Sequence, residues 1–493
     1  MTRTAIRLAT LNARYSHASL ALRYLLANLG SLRDQAAIRE FTIHDRPSAV
    51  AETLLSDAPA IIGLGVYIWN LRETTQVVAL LRTVAPEVRI VVGGPELSHD
   101  SEHERIVELA DVLITGEADL AFARVCTELL AGAAVPKVVR AAKPDLAQVV
   151  LPYELYSDED LAHRLIYVEA SRGCPYTCEF CLSSVDNGVR TFPQQAFLDA
   201  LARLWARGCR TYKFVDRTFN LSPRSAGAIL EFFLARIAQD APLPFLHFEM
   251  VPDRLPDSLK TLIARFPAGV VQFEVGIQSF TPEVGELVSR RMDRGRTEAN
   301  LRWLAAESGV HVHADLIIGL PGETMASLGD SFDCLWYLQP HEIQVGILKL
   351  LKGTPIGRHR DAFAMRFNPE PPYDLLACSA FDFATMQRLK RFARYFEMFA
   401  NRERFCDALD RLMAMQRSPF AAFLAFSDWL WATVAREHAL ALPRQYELLA
   451  DYLMTIGGLP RSAVVALLSG DFLRHQSPKY LPEFLRAHPA AGV

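Results

Sequence analysis

Short apolar runs alternate with helix-length intervals twice along this chain, and that alternation restricts it to parallel sheets covered by helices. The first series is "IRLATLN" (6–12), "AIREFTIH" (37–44), "AIIGLGVYI" (60–68), "RIVVGG" (89–94) and "DVLITGE" (111–117). Each run is short and rich in β-branched residues. Between them lie helical patterns such as Leu20, Tyr24, Leu25 and Leu29. Five such strands predict a flavodoxin-like doubly wound domain over residues 1–133. Residues 134–164 hold three prolines and no sustained period, so they are expected to link domains. A second series runs through "LIYVEAS" (165–171), "TYKFVD" (211–216), "FLHFEM" (245–250), "VVQFEVGIQS" (270–279), "VHADLIIGLPGE" (312–323) and "EIQVGILKL" (342–350). Six strand-then-helix units predict a partial (β/α)6 barrel over 165–358, with its chemistry at the C-terminal strand ends. From residue 359 to 493 the period is helical: Leu389, Phe392, Phe396 and Phe399 recur on one face, and Ser418-Pro419 reads as N-cap and N1. The expected class is α/β with a helical C-terminal domain.

A length of 493 residues suits about three domains of this kind. The 52 basic and 56 acidic residues leave a formal net charge of -4, which offers no electrostatic footprint for nucleic acid or an anionic membrane. Lys390, Arg391 and Arg394 lie between apolar positions and read as a solvated helix face. Arg3, Arg7 and Arg14 interrupt the first apolar residues, so no secretory leader is read. Phe420 to Ala435 carries Asp428 and falls short of a spanning run of roughly 18 uncharged residues. A cytoplasmic protein without membrane contact is expected.

Among eight cysteines, Cys126, Cys209, Cys334, Cys378 and Cys406 stand singly and read as small buried hydrophobes. The other three, Cys174, Cys178 and Cys181, follow the first barrel strand with spacing C-x3-C-x2-C. Three close thiolates can hold three irons of a [4Fe-4S] cube and leave the fourth open to a ligand. A closed zinc site would want a fourth protein ligand, and the nearest histidine, His163, lies across a predicted strand.

This spacing, with Phe180 before the last cysteine, resembles the signature of the radical S-adenosylmethionine (SAM) superfamily, and "FVDRTFN", "FEVGIQS" and "DLIIGLPGE" support the resemblance over 165 to about 355. It implies that the open iron chelates the amino and carboxylate groups of SAM and that a reduced cluster cleaves SAM to a 5'-deoxyadenosyl radical. Expected at SAM are Phe180, Asp216, Glu249, Glu274, Gln278, Ser279, Asp315, Ile317 and Gly319. Gly319 and Gly322 permit close backbone approach, and Glu323 or Asp315 can accept from hydroxyls. Glu249 has an alternative reading as an internal salt bridge with Lys213 or Arg217. Many members hold the SAM amino group with Gly-Gly-Glu after the second strand; here Asp216, Arg217 and Thr218 stand there, and Asp216 is the candidate.

The first domain resembles the cobalamin-binding branch of the superfamily through "GVYIWN" (65–70), "VVGGPE" (91–96) and "LITGEAD" (113–119) at predicted strand ends. That implies cobalamin near Tyr15, His17, Gly65, Tyr67, Gly93, Gly94, Pro95, Gly116 and Glu117, with Gly93 and Gly94 against the macrocycle. His17 is near the position of the classical axial histidine but lacks its Asp and Gly context. "LNARYSHASLALRYLL", "EASRGCPYTC" and a tail from "PEPPYDLL" resemble a bacterial subgroup with a helical C-terminal domain. The expected activity is methylation of a substrate carbon, with a small-molecule or peptide substrate and a flavodoxin or ferredoxin as electron donor. Radical cyclisation or rearrangement, and a non-catalytic cobalamin or redox sensor, are the alternatives. A tRNA methylthiotransferase is disfavoured, because the first domain has only Cys126 and the tail is helical.

Overall fold

The computed structural model describes residues 4–185, 188–239 and 241–486. Strands β1 (Ile6–Asn12), β2 (Ala36–Thr42), β3 (Ile61–Gly65), β4 (Arg89–Gly93), β5 (Val112–Thr115) and β6 (Val138–Arg140) form a parallel sheet in the order 2-1-3-4-5-6. Five strands were expected; the sixth lies in the stretch read as linker. Only Val139 of its three residues is buried, too little for a periodic signal. The strand interiors bury on both faces. Ala9, Leu11, Ile62 and Leu64 pack with Val50, Leu54 and Val77, while Ile6, Leu8 and Ile114 pack with Leu22, Phe122 and Val125. The order in which strands are added reverses between β1 and β3, which opens a crevice at their C-terminal ends.

After β7 (Ile166–Val168) the chain makes an antiparallel hairpin, β8 (Ser171–Cys174) with β9 (Gly188–Thr191). It then builds β10 (Thr211–Phe214), β11 (Phe245–Met250), β12 (Val271–Gln278), β13 (His311–Ile318) and β14 (Glu342–Ile347). β7 and β10–β14 lie side by side in sequence order and all parallel, the order of a (β/α) barrel left open. In β12 and β13 every second residue is buried, and the residues between are partly open. The buried set, including Phe273, Val275, Val312 and Ala314, joins the core with the flanking helices. The other set gives the sheet a polar face, which becomes the lumen.

Beyond the barrel, β15 (Arg366–Phe367) and β16 (Leu375–Ala377) form an antiparallel pair that the all-helical expectation missed. Helices Phe383–Phe399, Cys406–Met413, Pro419–Val434, Leu442–Thr455 and Arg461–His475 follow. Ser418 caps the third, accepting from Ala421 N, with Pro419 in its first turn. Phe332 of the last barrel helix meets Phe392, Phe396 and Phe420 at ring-centroid distances of 5.2, 5.1 and 5.8 Å, fastening the helical region to the barrel. No helix among the described residues is long and apolar enough to cross a membrane.

The turn after β13 shows how the C-terminal region closes on the barrel. Gly319 has φ +90°, and a Cβ there would meet Leu375 Cδ2 at 2.3 Å. Its N–H donates to Glu323 Oε2 at 2.7 Å. Glu323, read from the sequence as an acceptor for ligand hydroxyls, is instead turned into the chain and 2% exposed. Burial pushes its carboxyl from 4.5 up to about 8. Between those values the folded protein keeps a proton that the unfolded chain releases, so stability falls as pH rises, by about 1.4 kcal/mol per pH unit. Glu323→Gln is expected to flatten the decline in thermal midpoint between pH 5.5 and 8 (roughly one proton's worth); a decline as steep as in the wild type would contradict the assignment.

Candidate functional site

The cysteines lie where the first barrel strand gives way to the β8–β9 hairpin. Cys174 ends β8, Cys178 and Cys181 follow in the loop, and Cys181 N donates to Cys178 O at 3.0 Å. The three thiols are near enough to interact electrostatically, and burial pushes that of Cys174 upward. Two contacts invisible in the sequence hold this loop. Glu179, 4% exposed, accepts from Ser289 Oγ at 2.7 Å, from Arg358 Nη2 at 2.6 Å and from His359 Nε2 at 2.9 Å. Burial opposes its ionisation, yet these donors hold its carboxyl below the usual range. Arg290 donates from Nη1 to Cys178 Sγ at 3.4 Å and from Nη2 to the Gly276 carbonyl, joining the loop to the end of β12. Phe180 packs partly buried against the core.

The polar face of the sheet gathers most of the residues expected at SAM. Glu249 pairs with Arg217 Nη1 at 3.0 Å, which is the internal pairing weighed from sequence. Glu274 accepts from His247 Nε2 at 3.0 Å, and that bond pulls its carboxyl down to about 2. Asp315 Oδ1 lies 3.3 Å from His313 Nε2 without hydrogen-bond alignment, so both atoms keep unused capacity. Gln278 stands at φ +70°, beside an irregularity in the β12–β13 register, with its buried amide oxygen unpartnered. Such a left-handed non-glycine residue costs about 1–3 kcal/mol and persists where its surroundings hold it. Ile317 and Gly319 follow on β13 and its turn. Two side chains are used differently from the expectation. Ser279 Oγ accepts from Thr281 N at 3.2 Å and closes a turn. Asp216, 3% exposed, accepts from Ser171 Oγ at 2.5 Å and from Ala170 N at 3.0 Å, so both its oxygens hold the entry to the cysteine strand. Burial pushes its carboxyl up to about 6.

A cavity of about 1280 Å³ separates the C-terminal edge of the first sheet from the mouth of the barrel. It takes in every first-domain residue expected at cobalamin, from His17 to Glu117, except Tyr15. Tyr15 is half-exposed and donates to Glu159 Oε1 at 2.5 Å. Tyr67 stacks on Trp69 at 4.5 Å within the cavity wall. His17 Nδ1 lies 2.6 Å from the Tyr167 hydroxyl on β7, a bond between the two domains. The glycines serve the sheet itself: a Cβ on Gly93 would meet Ile114 O at 2.9 Å, and one on Gly94 would meet Val66 O at 2.3 Å. Their missing side chains therefore clear neighbouring backbone, and branched substitutions there would disrupt the domain rather than probe a ligand.

Arg172, two residues before Cys174, ties the cavity together. It donates to Glu117 Oε2 at 2.9 Å, to Asp119 at 2.8 and 3.0 Å, and to Glu169 Oε1 at 2.9 Å. Its guanidinium lies 4.7 Å from the Tyr24 ring centroid and 5.5 Å from that of Phe192. Arg190 also pairs with Glu117. The "LITGEAD" and "SRGC" segments, read separately in the sequence, are thus one ion network.

Three family profiles match the chain in order: the B12 binding domain over residues 6–126, the Radical SAM superfamily over 168–335, and a protein of unknown function (DUF4080) over 361–491. The chain is 25% identical over 433 residues to the cobalamin-dependent radical SAM methyltransferase TokK of Streptomyces tokunonensis, covering 80% of this chain and 61% of that protein. It is 26% identical over 330 residues to the 2-(S-pantetheinyl)-carbapenam-3-carboxylate methyltransferase of Streptantibioticus cattleyicolor, covering 60% of this chain and 48% of that one. It therefore spans less than two thirds of either relative's length. Among solved structures, the cobalamin-dependent SAM radical enzyme OxsB, with aqua-cobalamin and SAM bound, superposes over 95% of this chain and 79% of its own with a TM-score of 0.62 at 13% identity, a likeness of fold.

These domains imply a [4Fe-4S] cluster, SAM and cobalamin. The residues present fit them. Three neighbouring thiols with an N–H donor on Cys178 match the cluster's ligand chemistry, and unpartnered buried atoms of Gln278, Asp315, His313 and His247 sit on the strands that form the lumen. The cavity at the first sheet's open edge has room for a macrocycle. Replacing Arg172 with Gln would leave Glu117, Asp119 and Glu169 facing one another without their shared cation. A loss of about 3–5 kcal/mol is expected, seen as a lower thermal midpoint and faster proteolysis between the domains; an unchanged midpoint would show that the network does not join them.

Proposed function

Because this chain is a B12-binding radical SAM protein with a DUF4080 C-terminal region, we propose that it methylates a carbon of a small-molecule or peptide substrate held between its two sheets. The observation that carries this reading is the single cavity on which both open sheet ends and the approach to the cysteine loop converge. When bound, the cluster and SAM supply a carbon radical able to abstract hydrogen, and cobalamin supplies a transferable methyl group. The protein's part is to hold these groups and to keep water away. Cys174, Cys178 and Cys181 would ligate the cluster, with Arg290 donating toward the Cys178 sulfur. Glu249, Gln278 and Asp315, on the lumen face of β11, β12 and β13, would hold SAM through hydrogen bonds, each of about 1 kcal/mol. Glu274, kept ionised by His247, offers a fixed negative charge beneath them. The first-domain crevice around Gly65, Tyr67 and Trp69 would seat cobalamin, and the helical region covers the barrel's flank through its phenylalanine cluster. A soluble one-electron carrier of the flavodoxin or ferredoxin class would reduce the cluster.

After anaerobic reconstitution, protein given reductant and SAM is expected to release 5'-deoxyadenosine even without its substrate, and the variant with all three cysteines changed to alanine is expected to lose its iron and release none. No nucleoside from the fully loaded protein would contradict the reading and favour a sensor. Once a substrate is found, a product gaining one methylene supports methylation, and a product of unchanged mass indicates rearrangement.

A further inference from the structure

One guanidinium beside the cysteine loop is left unspent by the fold. Arg217 follows β10 on a turn whose flanking side chains, Asp216 and Thr218, are buried at 3% and 6% exposure. Arg217 turns the other way: its side chain is 52% exposed, and it lines the cavity between the domains. It is near enough to Cys181 and Cys174 to interact with both electrostatically. Glu249 engages only its Nη1, at 3.0 and 3.3 Å, and among the described residues Nε and Nη2 have no hydrogen-bond acceptor. The neighbouring guanidiniums are committed. Arg290 serves Gly276 and Cys178, Arg172 serves three carboxylates, and Arg358 serves Glu179.

The charge at this turn is the reverse of the pattern that the chain otherwise resembles, in which an acidic residue after the second barrel strand holds the amino group of SAM. Asp216, the only acid at the turn, is consumed by Ser171 and Ala170. A guanidinium cannot accept from an ammonium group; its free edge matches a carboxylate, with two parallel donors. Beside it, Glu249 presents the opposite charge on the same face. A cation and an anion about 3 Å apart, with the guanidinium lining the cavity, complement the zwitterion of an α-amino acid.

We infer that Arg217 binds the carboxylate of the methionine part of SAM, with Glu249 steering the guanidinium and facing the ammonium. The inference rests on the proposed reading that SAM occupies the lumen. Arg217 also sets specificity, because a SAM analogue without the carboxylate loses its partner and leaves the guanidinium edge unpaired.

Binding is tested on the full chain with its cluster oxidised and no reductant present, so that turnover plays no part, using SAM and decarboxylated SAM as probes in equilibrium dialysis. Wild-type protein is expected to prefer SAM by about tenfold or more, which is about 1.4 kcal/mol. Arg217→Met is expected to cut that preference by about tenfold, weakening SAM by that factor while changing decarboxylated SAM by less than about twofold, and to leave only the part that chelation of the carboxylate by the open iron contributes. Arg217→Lys, which keeps the charge and loses the fork, is expected to fall between and serves as the second variant if the Met protein fails to retain iron. Equal weakening of both probes, or unchanged SAM affinity in both variants, overturns the inference. A wild-type preference for SAM that both variants keep in full contradicts this inference alone, whereas wild-type protein that binds neither probe contradicts the functional reading with it.

Discussion

The Arg172 guanidinium, enclosed by Glu117, Asp119 and Glu169 and lying against the stacked rings of Tyr24 and Phe192, is the contact on which the remaining geometry depends. Burying this many charges is costly, and the cost is offset only when each finds a partner in good geometry. Here the partners come from two domains. Glu117 and Asp119 follow the fifth strand of the first sheet, Glu169 follows the first strand of the barrel, and Arg172 leads into the cysteines. Burial drives the Glu169 carboxyl up to about 7 even with the guanidinium opposing it. At a second contact between the first domain and the rest of the chain, Lys352 reaches Glu96 at 3.0 Å and Tyr373 donates to Glu96 at 2.5 Å. The first domain is thus clasped from the beginning and the end of the barrel, which fixes the width of the space between them.

Within the lumen, charge is arranged by alternation along strands. Each residue pointing away from the helices meets its neighbour on the next strand: Glu249 lies beside Glu274, Glu274 beside His313, and His313 beside Glu342. Carboxylates in such a row would repel one another, and the interleaved imidazoles and Arg217 relieve that repulsion. Where relief is incomplete, atoms remain unpartnered, as at Asp315 and Gln278. Those atoms can be satisfied by a polar ligand.

Most strands of the first sheet were legible because a parallel strand covered on both faces must be nearly continuous in β-branched and aliphatic residues, and those of the barrel because apolar residues recur at every second position. β6 and the β8–β9 hairpin were not, since three residues around Val139 make no pattern and Ser171–Cys174 is polar and glycine-containing. The cysteines were legible through spacing alone. Their supports were not: Glu179 looks like a solvated acid, yet its partners Arg358 and His359 stand 179 and 180 residues away. Asp216 was read as a ligand contact because it stands where the resembled family holds the SAM amino group, and Glu323 because a carboxylate beside Gly319 and Gly322 can accept from hydroxyls. The structure turns both inward onto backbone N–H groups, a choice made by local turn geometry that residue type does not encode. Arg217 drew attention only as a departure from a familiar pattern, and its orientation gave that departure a meaning.

The account's central claim is that one cavity brings both proposed cofactors face to face. It is tested most directly by electron paramagnetic resonance of protein carrying cob(II)alamin together with the reduced cluster. Two paramagnets, one in the cavity of about 1280 Å³ and one on the cysteine loop that borders it at Arg172 and Leu182, are expected to show a resolved spin–spin interaction that disappears when the three cysteines are replaced by alanine. Two superimposed, magnetically isolated spectra from protein fully loaded with both would contradict it.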